Sequence, residues 1–202
     1  MDSTNTKVTL AQSASYVKTM EQAIESSALI KTEEGHGSGF VIGKDGYIVT
    51  NYHVIAPTKK DLIVVLNDSV EYDKVKVVAV NKEYDLALLK IEATDLVPFK
   101  VTSKDKLNVS DPIYTIGTPS GLDLSRSLTK GVVSGFRKND FDQEFIQIDA
   151  SINSGNSGGP VIDRDGNLYG IVRSKLMGIG IEGVSFAIPS DIMFAALKIE
   201  QR

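Results

Sequence analysis

The chain has 202 residues, with 22 basic against 26 acidic side chains, a net charge of −4 and no cysteine. That balance gives no electrostatic case for a nucleic acid or an anionic membrane surface as partner, and the apolar runs fall far short of a membrane span. The absence of cysteine excludes disulfides, thiolate metal sites and a cysteine nucleophile, and the length fits one domain or two small barrels sharing an interface.

In chain order, Met1 to Lys31 is polar and carries no hydrophobic segment of the signal-peptide kind. Within it, Ala11, Ala14, Val17, Met20 and Ile24 recur at roughly helical spacing, which predicts a helix over Leu10 to Glu25. Lys44-Asp45-Gly46 is a hairpin signal before Tyr47 to Thr50. Further strands are predicted at Leu62 to Leu66, around Val75 to Val80, and at Leu86 to Ile91. Pro112 to Gly117, Gly131 to Phe136 and Phe145 to Ile152 follow, and Asp163 to Asn167 joins Pro160 to Ile162 with Leu168 to Val172. Val184 to Ile188 is the last strand, and Ser190-Asp191 after Pro189 can cap a C-terminal helix through about Leu197. About a dozen short strands with frequent turns predict an all-β sandwich or barrel body rather than βαβ units.

Ser157 lies in Gly155-Asn156-Ser157-Gly158-Gly159-Pro160. A serine hydroxyl is a poor nucleophile at neutral pH and needs a base within hydrogen-bond reach. The chain has two histidines, His36 and His53, both before Ser157. The glycines allow tight backbone around the serine and let a substrate approach, and such a turn can aim successive N–H groups at one point. The motif also fits the nucleophile elbow of α/β-hydrolases, where histidine follows serine in the chain; none does so here. An all-β body argues against the Asp-His-Ser order of the α/β subtilisins, which leaves His-Asp-Ser.

His36 sits in the glycine-rich stretch Gly35 to Gly39, and His53 at a strand end before Pro57. The strand-end setting favours His53, because catalytic groups sit on loops held by rigid elements. Among the acids between His53 and Ser157, Asp61, Asp68, Asp73, Asp105, Asp111 and Asp123 read as surface charges in turns and loops. Asp85 opens the apolar run Leu86 to Leu89, where a carboxylate is costly unless partnered. Position alone makes it a plausible third member and no more.

Three blocks, Thr50 to Ile55, Tyr84 to Leu89 and Asp149 to Pro160, resemble the catalytic blocks of the HtrA/Deg family of trypsin-fold serine proteases. Gly37 to Ile42, Gly117 to Gly121 and Ser185 to Ser190 extend the resemblance in order over nearly the whole body. The resemblance implies two six-stranded antiparallel β-barrels with short terminal helices. The expected layout is an N-terminal helical segment (1–27), a first barrel (28–100), a second barrel (101–190) and a C-terminal helix (191–202). By match of motif it makes His53 the general base, Asp85 its orienting carboxylate and Ser157 the nucleophile. It also makes the backbone of Gly155 and Ser157, with Asn156 between them, the oxyanion hole. Ser151, Ile152, Asn153, Lys175 and Leu176 fall on the substrate pocket.

The activity so implied is endoproteolysis of unfolded or misfolded polypeptides through an acyl-enzyme, with no metal or cofactor. A trypsin-fold binding or chaperone module with little turnover is the alternative. The resemblance further implies a periplasmic or otherwise exported setting and a homotrimer built through an N-terminal segment, with no nucleic-acid partner. The lack of cysteine points to a bacterial-type or intracellular variety of the fold. Departures from the family are the lack of a PDZ domain within this chain and the shortness of the loops at Lys31 to Gly37 and around Arg137 to Asp140. Arg173 and Lys175, on the segment expected to line one side of the pocket, are expected to project to solvent, as most basic side chains do.

Overall fold

The computed structural model describes residues 7–56, 61–67, 70–118, 126–152, 155–173 and 184–201. The first sheet is built from β2 (Ser27–Thr32), β3 (Gly35–Gly43), β4 (Tyr47–Asn51), β5 (Ile63–Leu66), β6 (Val70–Tyr72), β7 (Lys76–Asn81) and β8 (Leu86–Lys90), with the one-turn helix α2 (Tyr52–Ile55) after β4. The second is built from β9 (Lys100–Val101), β10 (Pro112–Gly117), β11 (Ser127–Lys138), β12 (Glu144–Ile148), β13 (Pro160–Ile162), β14 (Asn167–Arg173) and β15 (Ser185–Pro189). Around them lie β1 (Val8–Leu10), α1 (Met20–Glu25), α3 (Ser190–Ala196) and β16 (Ile199–Gln201).

In the second sheet the strands run β13-β10-β11-β12-β15-β14, and the additional β13–β14 pairing closes six antiparallel strands into a barrel. The short β9 adds to it in parallel alongside β14. The first sheet runs β6-β5-β2-β3-β4-β8-β7 and curls into a half-barrel, with β6 and β7 at its ends among the described residues. The architecture is the trypsin-like fold expected from the sequence, with one barrel closed and its companion open.

The continuous apolar runs of β3, β4 and β8 follow from burial on both faces. Successive side chains alternate between two cores. Leu86 and Leu88 enter the large cluster shared by the two sheets, together with Phe40, Ile42 and Val49. Ala87 and Leu89 face the other way, into the interior of the first sheet with Val41 and Ile48. A third cluster, including Ile113, Val133, Ile146, Val161 and Val172, fills the second barrel. Phe40 of the first sheet meets Phe99 of the connection edge-on, centroids 5.8 Å apart, and both rings are fully buried. Each such ring is worth about 2–3 kcal/mol of apolar burial. The shared cluster is what sets the two sheets, and hence the two halves of the site, at a fixed spacing.

Two terminal expectations are corrected. The helix predicted over Leu10 to Glu25 is confined to α1, and Leu10 belongs to a strand. Thr19 caps α1 by accepting from Gln22 N–H at 3.2 Å, and Ser13 turns its hydroxyl onto the Ser15 carbonyl at 2.6 Å. Local side-chain bonds of this kind compete with helix. At the other end the chain does not stay helical to 202. Lys198 takes φ +56 after α3, and β16 then pairs in parallel with β1. Ser190, expected as the helix cap, instead donates to the Thr102 carbonyl at 2.7 Å. No helix among the described residues is long and apolar enough to cross a membrane.

Candidate active site

His53 is carried by α2, which Val54 and Ile55 pin to the core. The approach to it is fixed by main-chain and amide bonds. Asn51 Nδ2 and Tyr52 N–H both donate to the Asp85 carbonyl, at 3.1 and 3.0 Å. Asp85 stands where the Asn81–Tyr84 turn enters β8, and its φ is +57. Aspartate is one of the few non-glycine residues that tolerate this left-handed region. That conformation directs its carboxylate at His53. Oδ1 accepts the His53 backbone N–H at 2.8 Å, and Oδ2 lies 2.6 Å from Nδ1. A carboxylate can only accept, so Nδ1 carries the proton and Nε2 is left with a lone pair to take one.

Ser157 is buried, at 5% exposure, in a loop whose carbonyls are tied to the surrounding protein. The Gly155 carbonyl accepts Ser38 Oγ–H at 2.6 Å and faces Thr118 N–H at 3.4 Å. The Asn156 carbonyl accepts Gly159 N–H at 3.0 Å, and the Ser157 carbonyl accepts Ser38 N–H at 2.9 Å. Gly158 bonds Val172 O at 3.1 Å, and Val172 N–H returns to Gly159 O at 2.9 Å. Gly155 and Gly158 adopt φ of +100 and +85. A Cβ at Gly155 would fall 1.9 Å from the Thr118 carbonyl oxygen; one at Gly158 would fall 2.1 Å from that of Ser38 and 3.1 Å from Asn51 N. The loop therefore abuts the end of β4, two residues before His53.

His36, given no role from the sequence, flanks this loop. Its Nε2 is buried without a hydrogen-bond partner among the described residues and lies 3.3 Å from the point a Gly155 Cβ would occupy. Ser38 was also missed as an individual. The Gly37-Ser38-Gly39 stretch flags a close approach, but the partner it approaches is far off in the chain.

Of the expected pocket residues, Ser151 is exposed and takes Asn156 Nδ2 on its carbonyl at 3.4 Å, and Ile152 is half-buried against the second-barrel core. Asn153, Lys175 and Leu176 lie outside the described residues. The expectation that Arg173 projects to solvent is overturned. Its side chain is only 17% exposed, its Nε is 3.9 Å from Asp85 Oδ2, and its guanidinium lies 5.9 Å from the Phe145 ring centre. Stacking on an aromatic face and a carboxylate within reach are what turn an arginine inward. Among the described residues there is no group of three or more His, Cys, Asp or Glu that could hold a metal ion.

A family profile for the trypsin-like peptidase domain matches residues 37–171, a span that holds His53, Asp85 and Ser157. The chain belongs to the trypsin-like peptidase family. Within that family its likeness is to HtrA/Deg proteases, as the sequence motifs imply. It is 43% identical over 161 residues to a probable periplasmic serine endoprotease DegP-like from Pseudomonas fulva, covering 77% of this chain and 33% of that protein. It is 42% identical over 173 residues to protease Do-like 1, chloroplastic, of Arabidopsis thaliana, covering 81% and 38%. The trypsin-like peptidase thus spans about a third of the length of these curated relatives. Among solved structures it superposes on the HtrA-type protease AlgW with tripeptide at a TM-score of 0.77 and 33% identity, covering 87% of this chain and 60% of that one. A serine endoprotease from Yersinia pestis gives 0.72 and 30%, covering 87% and 64%.

Proposed function

We propose that this peptidase domain is a serine endopeptidase acting on unfolded or misfolded polypeptides, with His53, Asp85 and Ser157 as its triad. The observation that carries the reading is the double hold of Asp85 on His53, 2.8 Å to the backbone and 2.6 Å to Nδ1. That hold selects the tautomer in which Nε2 is a base, which is the task of the acid in such a triad. Ser157 Oγ attacks the peptide carbonyl carbon while His53 Nε2 takes the hydroxyl proton. The negative oxygen of the tetrahedral intermediate is received by the backbone N–H groups of Gly155 and Ser157. His53 then gives its proton to the leaving amine, and the C–N bond breaks to leave an acyl-Ser157. Water, deprotonated by the same His53, hydrolyses the ester and restores the serine.

The tying of the loop carbonyls supports the oxyanion assignment. With the carbonyls of Gly155, Asn156 and Ser157 held by protein donors, the loop conformation is fixed before substrate arrives. Preorganised donors of this kind supply a large share of acyl-transfer catalysis. The setting, by the names of the bacterial relatives, is the periplasm or another exported compartment.

The test is incubation of the purified chain with an unfolded protein and, separately, with a fluorophosphonate probe. Cleavage together with labelling confined to Ser157 is the expected result. Binding of the unfolded protein with neither cleavage nor labelling would make the domain a chaperone-like module instead.

A further inference from the structure

Arg173 ends β14, and the residue before it, Val172, is the one that clips the loop of Ser157. Its side chain reaches toward the candidate acid, Asp85. Nε and Nη1 are both buried and have no hydrogen-bond partner among the described residues, and Nε is 3.9 Å from Asp85 Oδ2. That same oxygen faces His53 Nδ1 at 2.6 Å. Asp85 is 8% exposed, and among the described residues its carboxylate is hydrogen-bonded by His53, once from the backbone N–H and once from Nδ1. Two bonds leave about half of a carboxylate's acceptor capacity unused. A neutral imidazole also brings no charge to set against the buried anion, and a buried charge without a counter-charge is strongly disfavoured.

We propose that Arg173 is a positioning residue, the fixed counter-cation that holds the Asp85 carboxylate against His53. The proposal rests on reading His53, Asp85 and Ser157 as the triad. Arginine suits the place because its guanidinium is always charged and tolerates an aromatic face on one side. Here Phe145 supplies that face at 5.9 Å. Nε stands 3.9 Å from Asp85 Oδ2, and closing that gap to hydrogen-bond length needs a shift of about 1 Å. Because Val172 holds Gly158 and Gly159 by backbone bonds, one strand registers the nucleophile loop and the support of the acid together.

The test compares Arg173→Met, which keeps length and apolar packing, with Arg173→Lys, which keeps a cation. Each is made with Asp85 intact and in an Asp85→Asn background, and turnover of a peptide substrate and thermal unfolding are read for all. With Asp85 intact, Arg173→Met is expected to lower kcat by about tenfold or more, with KM changed by no more than about threefold, the scale of a coupled pair. Arg173→Lys should be several-fold faster than the Met variant. With Asp85→Asn the Met substitution should cost little further activity or stability, and a Met variant that folds only in that background supports the pairing as well. Four results would overturn the proposal. These are wild-type kcat in Arg173→Met, equal loss in Lys and Met, the same loss or failure to fold in both backgrounds, and an effect confined to KM for acidic substrates. Absence of turnover and of fluorophosphonate labelling in the unsubstituted chain would instead remove the triad reading itself, and the proposal with it.

Discussion

The hydroxyl of Ser38 donates to the carbonyl of Gly155 at 2.6 Å, across 117 positions of sequence, and in turn accepts Thr118 N–H at 3.0 Å. This one buried side chain joins β3 of the first sheet to the nucleophile loop and to the end of β10 in the second. Thr50 Oγ1 adds a further tie by donating to the Ser38 carbonyl at 2.7 Å. Removing a buried partner leaves the other side unsatisfied, at a cost of about 1–3 kcal/mol. Ser38→Ala is therefore expected to lower stability by about that amount. It should also slow turnover by about tenfold, since one donor of an oxyanion hole is worth more than that and is here only loosened. Denaturant unfolding and peptide kinetics check both parts; unchanged kcat would show that the Gly155 carbonyl holds its place without the clamp.

Replacement of either reacting group should end turnover. Ser157→Ala and His53→Ala are each expected to cost on the order of 10⁶ in kcat, because members of such a unit fail together. Both variants should keep the far-ultraviolet circular dichroism of the parent. His36→Ala should be far milder, because the proposed mechanism assigns it no proton transfer and its Nε2 lies 3.3 Å from where a Gly155 Cβ would sit. Loss in the His36 variant comparable to that in His53→Ala would reverse the assignment of the base.

Gly155 tolerates no side chain by geometry. Its φ of +100 and the 1.9 Å approach of a Cβ to the Thr118 carbonyl oxygen mean that even alanine must displace the loop. Gly155→Ala is expected to reduce kcat by about 10²-fold or more, the scale of losing one oxyanion donor. Steady-state kinetics with a peptide substrate decide it, and near-parental rates would remove Gly155 from the hole.

How far the sequence carried follows from the reach of each contact. Ser157 stands out as a candidate because its motif is local, and Asp85 because an acid heading four buried residues has to be explained. The alternation of Leu86 and Leu88 against Ala87 and Leu89 was invisible as a pattern, since both faces of β8 are buried and the run reads as uniformly apolar. Ser38 could not be assigned because its partner is set by the packing of two sheets. Arg173 was misjudged for the same reason. A basic residue defaults to solvent until the fold supplies Asp85 and Phe145 on either side of it. The N-terminal stretch failed differently: its spacing is helical, but Ser13 and Thr19 bind nearby backbone, leaving helix only from Met20 to Glu25.

An alkaline limit is expected at Tyr169 on β14. Burial first, and then the charge of Asp163, whose Oδ2 accepts its hydroxyl at 3.2 Å, push the phenol up to about 12 from 10.0. A phenol is neutral when protonated, so a raised folded value means stability is complete below about 10 and is lost as pH rises from there through about 12. In that window the unfolded chain has released a proton that the folded chain still holds, and stability falls with pH. Tyr169→Phe should flatten the decline by up to about one proton, read as the slope of unfolding free energy against pH. An unchanged slope would mean that the hydroxyl ionises equally in both states.

Specificity follows from what the pocket floor lacks. In trypsin-like enzymes an acidic residue six positions before the nucleophile selects arginine or lysine, and here that position is Ser151. Ile152 beside it is half-buried against the second-barrel core. On the proposal above, Arg173, with Nε 3.9 Å from Asp85 Oδ2, serves that acid and does not draw in an acidic side chain. With Ser151 as the floor that the motif implies, no acid is there to pair with a cation, and small or medium apolar side chains gain about 0.8 kcal/mol per buried methylene. Cleavage is therefore expected after Val, Ala, Ile or Leu, and profiling on a randomised peptide library reads this directly. Dominant cleavage after Arg or Lys would refute the uncharged floor. Dominant cleavage after Glu or Asp would mean that a cation reaches the pocket. If Arg173→Met then lost that acidic preference while kcat held, Arg173 would be that cation and not the support of Asp85.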